Sequence, residues 1–325
     1  RGAQPRSSRV HPTRDQPAAP LPFSLLLLMA AESGEHVFTS QFGEVDIPEV
    51  PLTTFVMGGA AAQGDKAALI DGKSGRTIKY SELQAGINRA ANGLLALGFK
   101  KGDVLGIHLP NCPEYALAFH GAATIGGIIT TSNPLYGARE LQHQFKDAGA
   151  RFVLTVGPFK AVCEEAAADT GVEKVFLLED EDCFLRNANA EAPPAVEIDP
   201  KADTVVIPYS SGTSGLPKGV VLTHHNIVSN LCQIGGNADF NVDISADDVV
   251  LAVLPFFHIY GMVVILNSAL KVGCTCVTMP KFDPADFLGF IQTYKVTFAP
   301  IVPPLVLFLA KHPVVDKFDT SSLRV

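Results

Sequence analysis

The stretch VLGIHLPNCPEYALAFHGAATIGGIITT (residues 104–131) holds two short apolar runs on either side of a longer helical pattern. The first run, residues 104–109, stops at Pro110 and predicts a buried strand. Residues 115–125 predict a helix, and residues 128–131 predict a second strand. A strand, a helix and a second strand in this order indicate two parallel strands joined by a crossover helix.

The same alternation continues on both sides of this unit. Ser81 is predicted to cap a helix that ends at Gly98, and Asp283 with Pro284 to begin another. Further helices are predicted at residues 139–148, 159–169, 287–294 and 304–310, and further strands at residues 151–156, 174–178, 249–255, 274–279 and 296–300. The sequence therefore predicts an α/β fold of layered, mostly parallel sheets flanked by helices, with residues 179–202 as a surface connection.

Composition excludes several classes of protein. The chain has 325 residues, 47% of them hydrophobic and 18% charged, which argues against extensive disorder. Its net charge of −8 and the lack of a basic stripe argue against a nucleic-acid partner. The six scattered cysteines are expected to be reduced and buried, with no set of metal ligands.

Residues 1–30 differ from the rest and are predicted to be a leader that is disordered or not native. Four arginines precede the apolar run FSLLLLMAA (residues 23–31), which is too short to span a membrane. It could be part of a signal or transit peptide. We favour a start at Met29, because the residues after it resemble an ordinary cytosolic N-terminus.

The stretch YSSGTSGLPKGV (residues 209–220) predicts a phosphate-binding loop. It nearly matches a Walker loop, but Pro217 and Gly219 stand where that motif has glycine and a hydroxyl residue, and a strand-like segment follows instead of a helix. Glycines that let N–H groups converge, hydroxyl donors and one lysine are suited to bind an anion. The predicted ATP-binding residues are Ser210, Ser211, Gly212, Thr213, Ser214, Gly215 and Lys218. An ordinary Ser/Gly-rich turn is the alternative.

Three motifs carry a family resemblance. YSSGTSGLPKGVVLTH, LPFFHIYGM (residues 254–262) and MPKFD (residues 279–283) together resemble the adenylate-forming, or AMP-binding, enzymes, and look most like 4-coumarate–CoA ligases and related acyl-CoA synthetases. The resemblance implies that residues 31–325 are part of the N-terminal AMP-binding domain, with the C-terminal domain absent.

The resemblance also implies roles for single residues. His258 would be catalytic and line the acyl pocket with Tyr260 and Val264, and Lys281 would bind a phosphate of coenzyme A. For His258 and Tyr260 the alternative is packing in the core, and for Lys281 it is a solvated surface lysine. Plant ligases usually have a small hydroxyl residue at the position of Val264, so a more apolar acid is possible. His224 and His225 are predicted to begin a helix and not to bind metal.

The implied reaction joins a carboxylic acid to AMP from ATP, with Mg²⁺, and then transfers the acyl group to coenzyme A. Lys218 would be catalytic through its charge on the departing pyrophosphate. Because the remaining family motifs would lie beyond Val325, the 325-residue chain alone is expected not to form thioesters. A luciferase-like or peptide-synthetase adenylation domain and a non-catalytic ATP-binding module are alternatives. A cytoplasmic location is expected, with the peroxisome as the alternative.

Overall fold

The computed structural model describes residues 44–210, 217–235 and 244–324. The account below concerns the compact unit Val45–Val325. Its strands are β1 (Ala67–Asp71), β2 (Thr77–Lys79), β3 (Val104–Ile107), β4 (Ile128–Thr131), β5 (Ala150–Thr155), β6 (Lys174–Leu177), β7 (Thr204–Ser210), β8 (Lys218–Gly219), β9 (Leu222–Thr223), β10 (Val249–Ala252) and β11 (Thr275–Thr278).

The α-helices are α1 (Leu52–Met57), α2 (Tyr80–Ala96), α3 (Pro113–Thr124), α4 (Ala138–Ala148), α5 (Lys160–Ala167), α6 (His224–Gly235), α7 (Ser268–Val272), α8 (Pro284–Tyr294) and α9 (Pro303–Lys311). A π-helix, Tyr260–Asn267, runs directly into α7. Short 3₁₀ turns occupy Ala60–Gln63, Gly157–Phe159, Phe184–Arg186 and Val315–Lys317.

The larger sheet has the order β6-β5-β3-β4-β7-β8, and β9 also pairs with β7. Its first four pairings are parallel, whereas β8 and β9 run antiparallel to β7. Strands β3, β4 and β5 are each followed by a helix, α3, α4 and α5, that leads to the next parallel strand, and the inner strands β3 and β4 are largely buried. The predicted α/β fold with mostly parallel sheets is confirmed.

The smaller sheet brings together distant parts of the chain. Its order is β10-β11-β1-β2, and β1 pairs in parallel with β11 at Leu69 and Cys276. The side chain of Thr275 donates to the carbonyl of Ala67 at 2.8 Å, across 208 residues of sequence. This sheet therefore joins the segment that contains β1 and β2 to the distant segment that contains β10 and β11.

Two local predictions are wrong. Ser81 does not cap α2 as predicted, because its hydroxyl donates to Asp65. The helix begins after Lys79, whose amide donates to Glu82 Oε2 at 2.9 Å. Residues 296–300 form a single bridge, between Phe298 and Val250, and no strand. In contrast, the start of α8 is confirmed, because Asp283 Oδ1 accepts from the amides of Ala285 and Asp286.

The six cysteines carry free thiols, as expected, and all but the half-buried Cys232 are buried. None of the helices in the described ranges combines the length and the apolar character needed to cross a membrane.

Candidate functional site

The predicted strand-loop-strand arrangement around Lys218 is confirmed. β7 and β8 pair antiparallel, with Ser210 opposite Lys218 and Tyr209 opposite Gly219. Both Ser210 and Lys218 are exposed. The other five residues of the ATP-binding prediction, from Ser211 to Gly215, lie outside the described ranges. The structure therefore pairs the lysine with one hydroxyl residue at the point where β7 ends and β8 begins.

Gly219 is required for close packing, and not for the backbone freedom that was predicted for the glycines of this loop. Its φ angle is not positive, so backbone freedom is not what this position needs. A Cβ atom here would lie 2.8 Å from Cγ2 of Ile207 and 3.1 Å from Cζ of Tyr209. Gly219 thus lets the Tyr209 ring lie against the backbone directly after Lys218.

His258 follows a segment that Asn111 holds in place. The Asn111 amide donates to the carbonyls of Ala252 and Leu254, at 3.0 and 2.9 Å, and its oxygen accepts from the amide of Phe256 at 2.7 Å. Phe256 is fully buried and packs edge-on against Tyr115. With this residue anchored inside, the chain turns outward at His258, which is exposed.

A second set of contacts joins the same segment to the larger sheet. The Thr131 hydroxyl, at the end of β4, donates to the carbonyl of Phe257 at 2.8 Å. Gln144 on α4 donates to the carbonyl of Thr131 at 3.0 Å and to the hydroxyl of Thr130 at 2.9 Å. These supporting residues were not predicted, because a side chain that bonds to a distant backbone leaves no local pattern in the sequence.

The tautomer of His258 is set by its own turn. Its Nδ1 accepts from the amide of Tyr260 at 3.2 Å, so the neutral imidazole carries its proton on Nε2. The exposed side of the ring thus offers an N–H donor that is able to bind an anionic oxygen.

One cavity of about 390 Å³ brings together the three predicted acid-binding residues, His258, Tyr260 and Val264. Its other lining residues are Leu222, Asn226, Ile227, Asn230, Ile259 and Val263. Tyr260 is 41% exposed, which excludes simple core packing for it. The walls are mainly aliphatic, with Asn226 and Asn230 one helical turn apart on α6.

The π-helix supplies the wall that contains Tyr260 and Val264. The side-chain amide of Asn267 donates to the backbone carbonyl of Met262 at 2.8 Å and so adds a side-chain bond within this helix. Gly261, next to Tyr260, is so close to the preceding segment that a Cβ atom would lie 2.1 Å from the Pro255 oxygen. The sequence did not predict this helix, because residues 260–267 are apolar without a helical period.

Lys281 lies apart from these groups. It is exposed, in the link between β11 and α8, and does not line the cavity. His224 and His225 begin α6, as predicted. Across the described ranges, no three His, Cys, Asp or Glu side chains are grouped so that they could hold a metal ion.

Comparisons with known proteins show the family to which this chain is related. A family described as AMP-binding enzyme matches residues 58–325. The chain is 40% identical over 301 residues to a 4-coumarate–CoA ligase of Pinus taeda, which covers 90% of this chain and 55% of the relative. A probable 4-coumarate–CoA ligase 1 of Dictyostelium discoideum is 39% identical over 319 residues, covering 90% and 56%. The chain thus spans about half the length of these relatives.

Two solved structures have the same fold. The N-terminal domain of FACL13 from Mycobacterium tuberculosis is 26% identical, with a TM-score of 0.75 over 84% of this chain and 68% of the other. A long-chain-fatty-acid–CoA ligase, FadD1 of Archaeoglobus fulgidus, is 25% identical, with a TM-score of 0.79 over 88% and 59%.

Proposed function

Because the chain belongs to the AMP-binding enzyme family, we propose that it forms the acid pocket and the phosphate hairpin of an acid–CoA ligase. The observation that carries the proposal is the shared cavity of His258, Tyr260 and Val264. Leu222 lines the same cavity and lies four residues after Lys218, so the acid and the phosphates of ATP would meet beside this hairpin.

The reaction would proceed in two displacements. The carboxylate oxygen attacks the α-phosphorus of ATP, the bond to the β-phosphate oxygen breaks, and pyrophosphate leaves. The thiol sulfur of coenzyme A then attacks the acyl carbon and AMP leaves, with loss of the thiol proton. The Lys218 ammonium and the hydroxyls near it would stabilise the charge on pyrophosphate. The Nε2–H of His258 would orient the carboxylate.

The lining of the cavity supports an aryl or fatty acid as substrate. Val264 and its aliphatic neighbours favour an apolar tail. Asn230 is exposed in the middle of α6, and its side-chain amide, which makes no hydrogen bond to another described residue, could bind a polar substituent. A 4-coumarate-like acid and a medium-chain fatty acid are the two classes to compare.

The other ligands enter the proposal more simply. Lys281 would attract a phosphate of coenzyme A through its charge alone. Mg²⁺ would arrive bound to the phosphates of ATP. The 325-residue chain by itself is predicted to form no thioester, whereas the full protein that the gene encodes is predicted to do so.

Changing Lys218 to alanine in the full protein is the direct test. The rate of acid-dependent ATP–pyrophosphate exchange is expected to fall about 100-fold, since a preorganised cation on the leaving group is removed. Exchange is measured with 4-coumarate, cinnamate, hexanoate and octanoate. The control is Lys311→Ala, an exposed lysine at the end of α9. If Lys218→Ala retains full exchange, the assignment of the hairpin is wrong.

Val264→Thr tests which acids the cavity accepts. The threonine side chain keeps the shape of valine, and its hydroxyl would bind the phenolic hydroxyl of 4-coumarate. The kcat/KM for this acid is therefore expected to rise about 3- to 10-fold. Cinnamate lacks that hydroxyl and is the matched control. An equal change for both acids would show that Val264 does not contact the ring substituent.

A further inference from the structure

Lys218 lies on a strand that is too short to hold its own position. β8 has two residues and pairs only with β7, at the edge of the larger sheet. A two-residue pairing contributes little stability by itself. The position of the Lys218 ammonium therefore depends on contacts from outside the hairpin.

Helix α4 supplies one such contact just before Lys218. His143 Nε2 lies 3.1 Å from the carbonyl oxygen of Pro217 and donates to it. Pro217 has no N–H of its own and a fixed φ angle, so its carbonyl is the group by which this residue can be held. The His143 ring also packs edge-on against the Tyr209 ring, with 6.4 Å between the centroids.

The same helix supplies a second contact just after Lys218. Asp147 Oδ2 accepts from the Tyr209 hydroxyl at 2.5 Å. Burial, and then this hydrogen bond, raise the pKa of Tyr209, so the phenol remains a donor. Because the Tyr209 ring lies against Gly219, holding the ring also holds the backbone on the far side of Lys218.

The two contacts come from one face of one helix. His143 and Asp147 are four residues apart, and neighbours at this spacing lie one above the other. Between them, Gln144 and Phe145 are buried and fix α4 against the sheet. We propose that His143 and Asp147 are positioning residues that hold the backbone on both sides of Lys218. The proposal rests on the role of Lys218 in binding the phosphates of ATP.

His143→Leu and His143→Gln form the central pair of variants. Leucine removes the donor to Pro217, whereas glutamine offers an amide donor of similar reach. In the full protein, the KM for MgATP in pyrophosphate exchange is expected to rise about tenfold in His143→Leu and to return near the original value in His143→Gln. The KM for the acid is expected to stay unchanged, because the acid cavity does not include His143.

A second pair repeats the test on the other side of Lys218. Tyr209→Phe removes the hydroxyl that binds Asp147 and keeps the ring, so it is expected to raise the KM for MgATP in the same way. Lys146→Ala changes an exposed neighbour on α4 and serves as the control. Melting temperatures of all variants show whether any of them is simply unfolded.

The outcomes separate this proposal from the one on which it depends. An unchanged KM for MgATP in both His143→Leu and Tyr209→Phe, or an equal rise in the KM values of ATP and acid, would overturn the positioning role. Full exchange in Lys218→Ala would instead overturn the proposed function. On the 325-residue chain, faster amide exchange at residues 209, 210 and 218–220 in His143→Leu, reversed in His143→Gln, would support the proposal independently of activity.

Discussion

Gly261→Ala is expected to destabilise the fold by at least about 3 kcal/mol, because the new methyl group would lie 2.1 Å from the Pro255 oxygen and 2.6 Å from its carbonyl carbon. Both are backbone atoms, so neither can turn away like a side chain. The change would push the π-helix away from the segment that carries His258. Urea denaturation followed by circular dichroism measures the loss.

Gly289→Ala is the matched control. This glycine is also inside a helix, α8, but its nearest neighbour to a new Cβ would be a ring atom of Phe318 at 3.9 Å. Since alanine restricts the unfolded chain and fits here, it is expected to gain about 0.5 to 1 kcal/mol. If Gly261→Ala is as stable as Gly289→Ala, the close approach of the two segments is wrong.

Lowering the pH from 7 to 5 is expected to remove about 6 kcal/mol of unfolding free energy, through three buried histidines. Burial lowers the pKa of His108 to about 4, that of His120 to about 3 and that of His224 to about 4. In the unfolded chain their pKa values are about 6.5. Stability is therefore complete above about pH 6.5 and is lost as the pH falls toward 4, because only the unfolded state takes up protons in that window.

The contacts of these rings explain why they resist protonation. Nδ1 of His224 accepts from the amide of Leu52 at 3.1 Å, and this acceptor would be lost on protonation. In all three rings Nε2 is buried without a hydrogen-bond partner. A charge on any of them would have no compensating group at that nitrogen.

Urea titrations between pH 7 and pH 5 test this expectation. The slope of the unfolding free energy against pH should approach three protons near pH 5. His108→Gln removes one of the three rings and should reduce this slope by about one proton. Equal stability at pH 7 and pH 5 would contradict the neutral, buried state of these histidines.

The predictable part of the fold is the part in which the signal is local. The run at residues 128–131 coincides with β4, and the helix predicted at residues 139–148 begins only one residue earlier, as α4. A short apolar run next to glycines predicts such a strand, and apolar residues at helical spacing predict such a helix. The strand predicted at residues 296–300 is wrong because the signal there is only local. These residues have the composition of a strand, but Phe298 forms a single bridge, to Val250.

The same distinction between local and long-range signals applies to the residues of the candidate site. The motifs predicted Lys218, His258 and Tyr260 as candidates, and the family resemblance added Val264, because these residues lie in or beside contiguous stretches with a family pattern. They could not identify Asn111, which acts through bonds to backbone atoms more than 140 residues away. Contacts of this kind depend on the tertiary fold and leave no periodicity or spacing in the sequence.

The pairing of β1 with β11 has a consequence for how the protein is made. Translation proceeds at about 5 to 20 residues per second, so β1 waits on the order of 10 to 40 s before the 208 residues that separate it from its partner have been added. During this time the edge of β1 that β11 will cover is exposed on the ribosome, where it can pair with other nascent chains. We therefore expect the yield of native protein to depend on chaperones during synthesis more than on the stability of the finished fold.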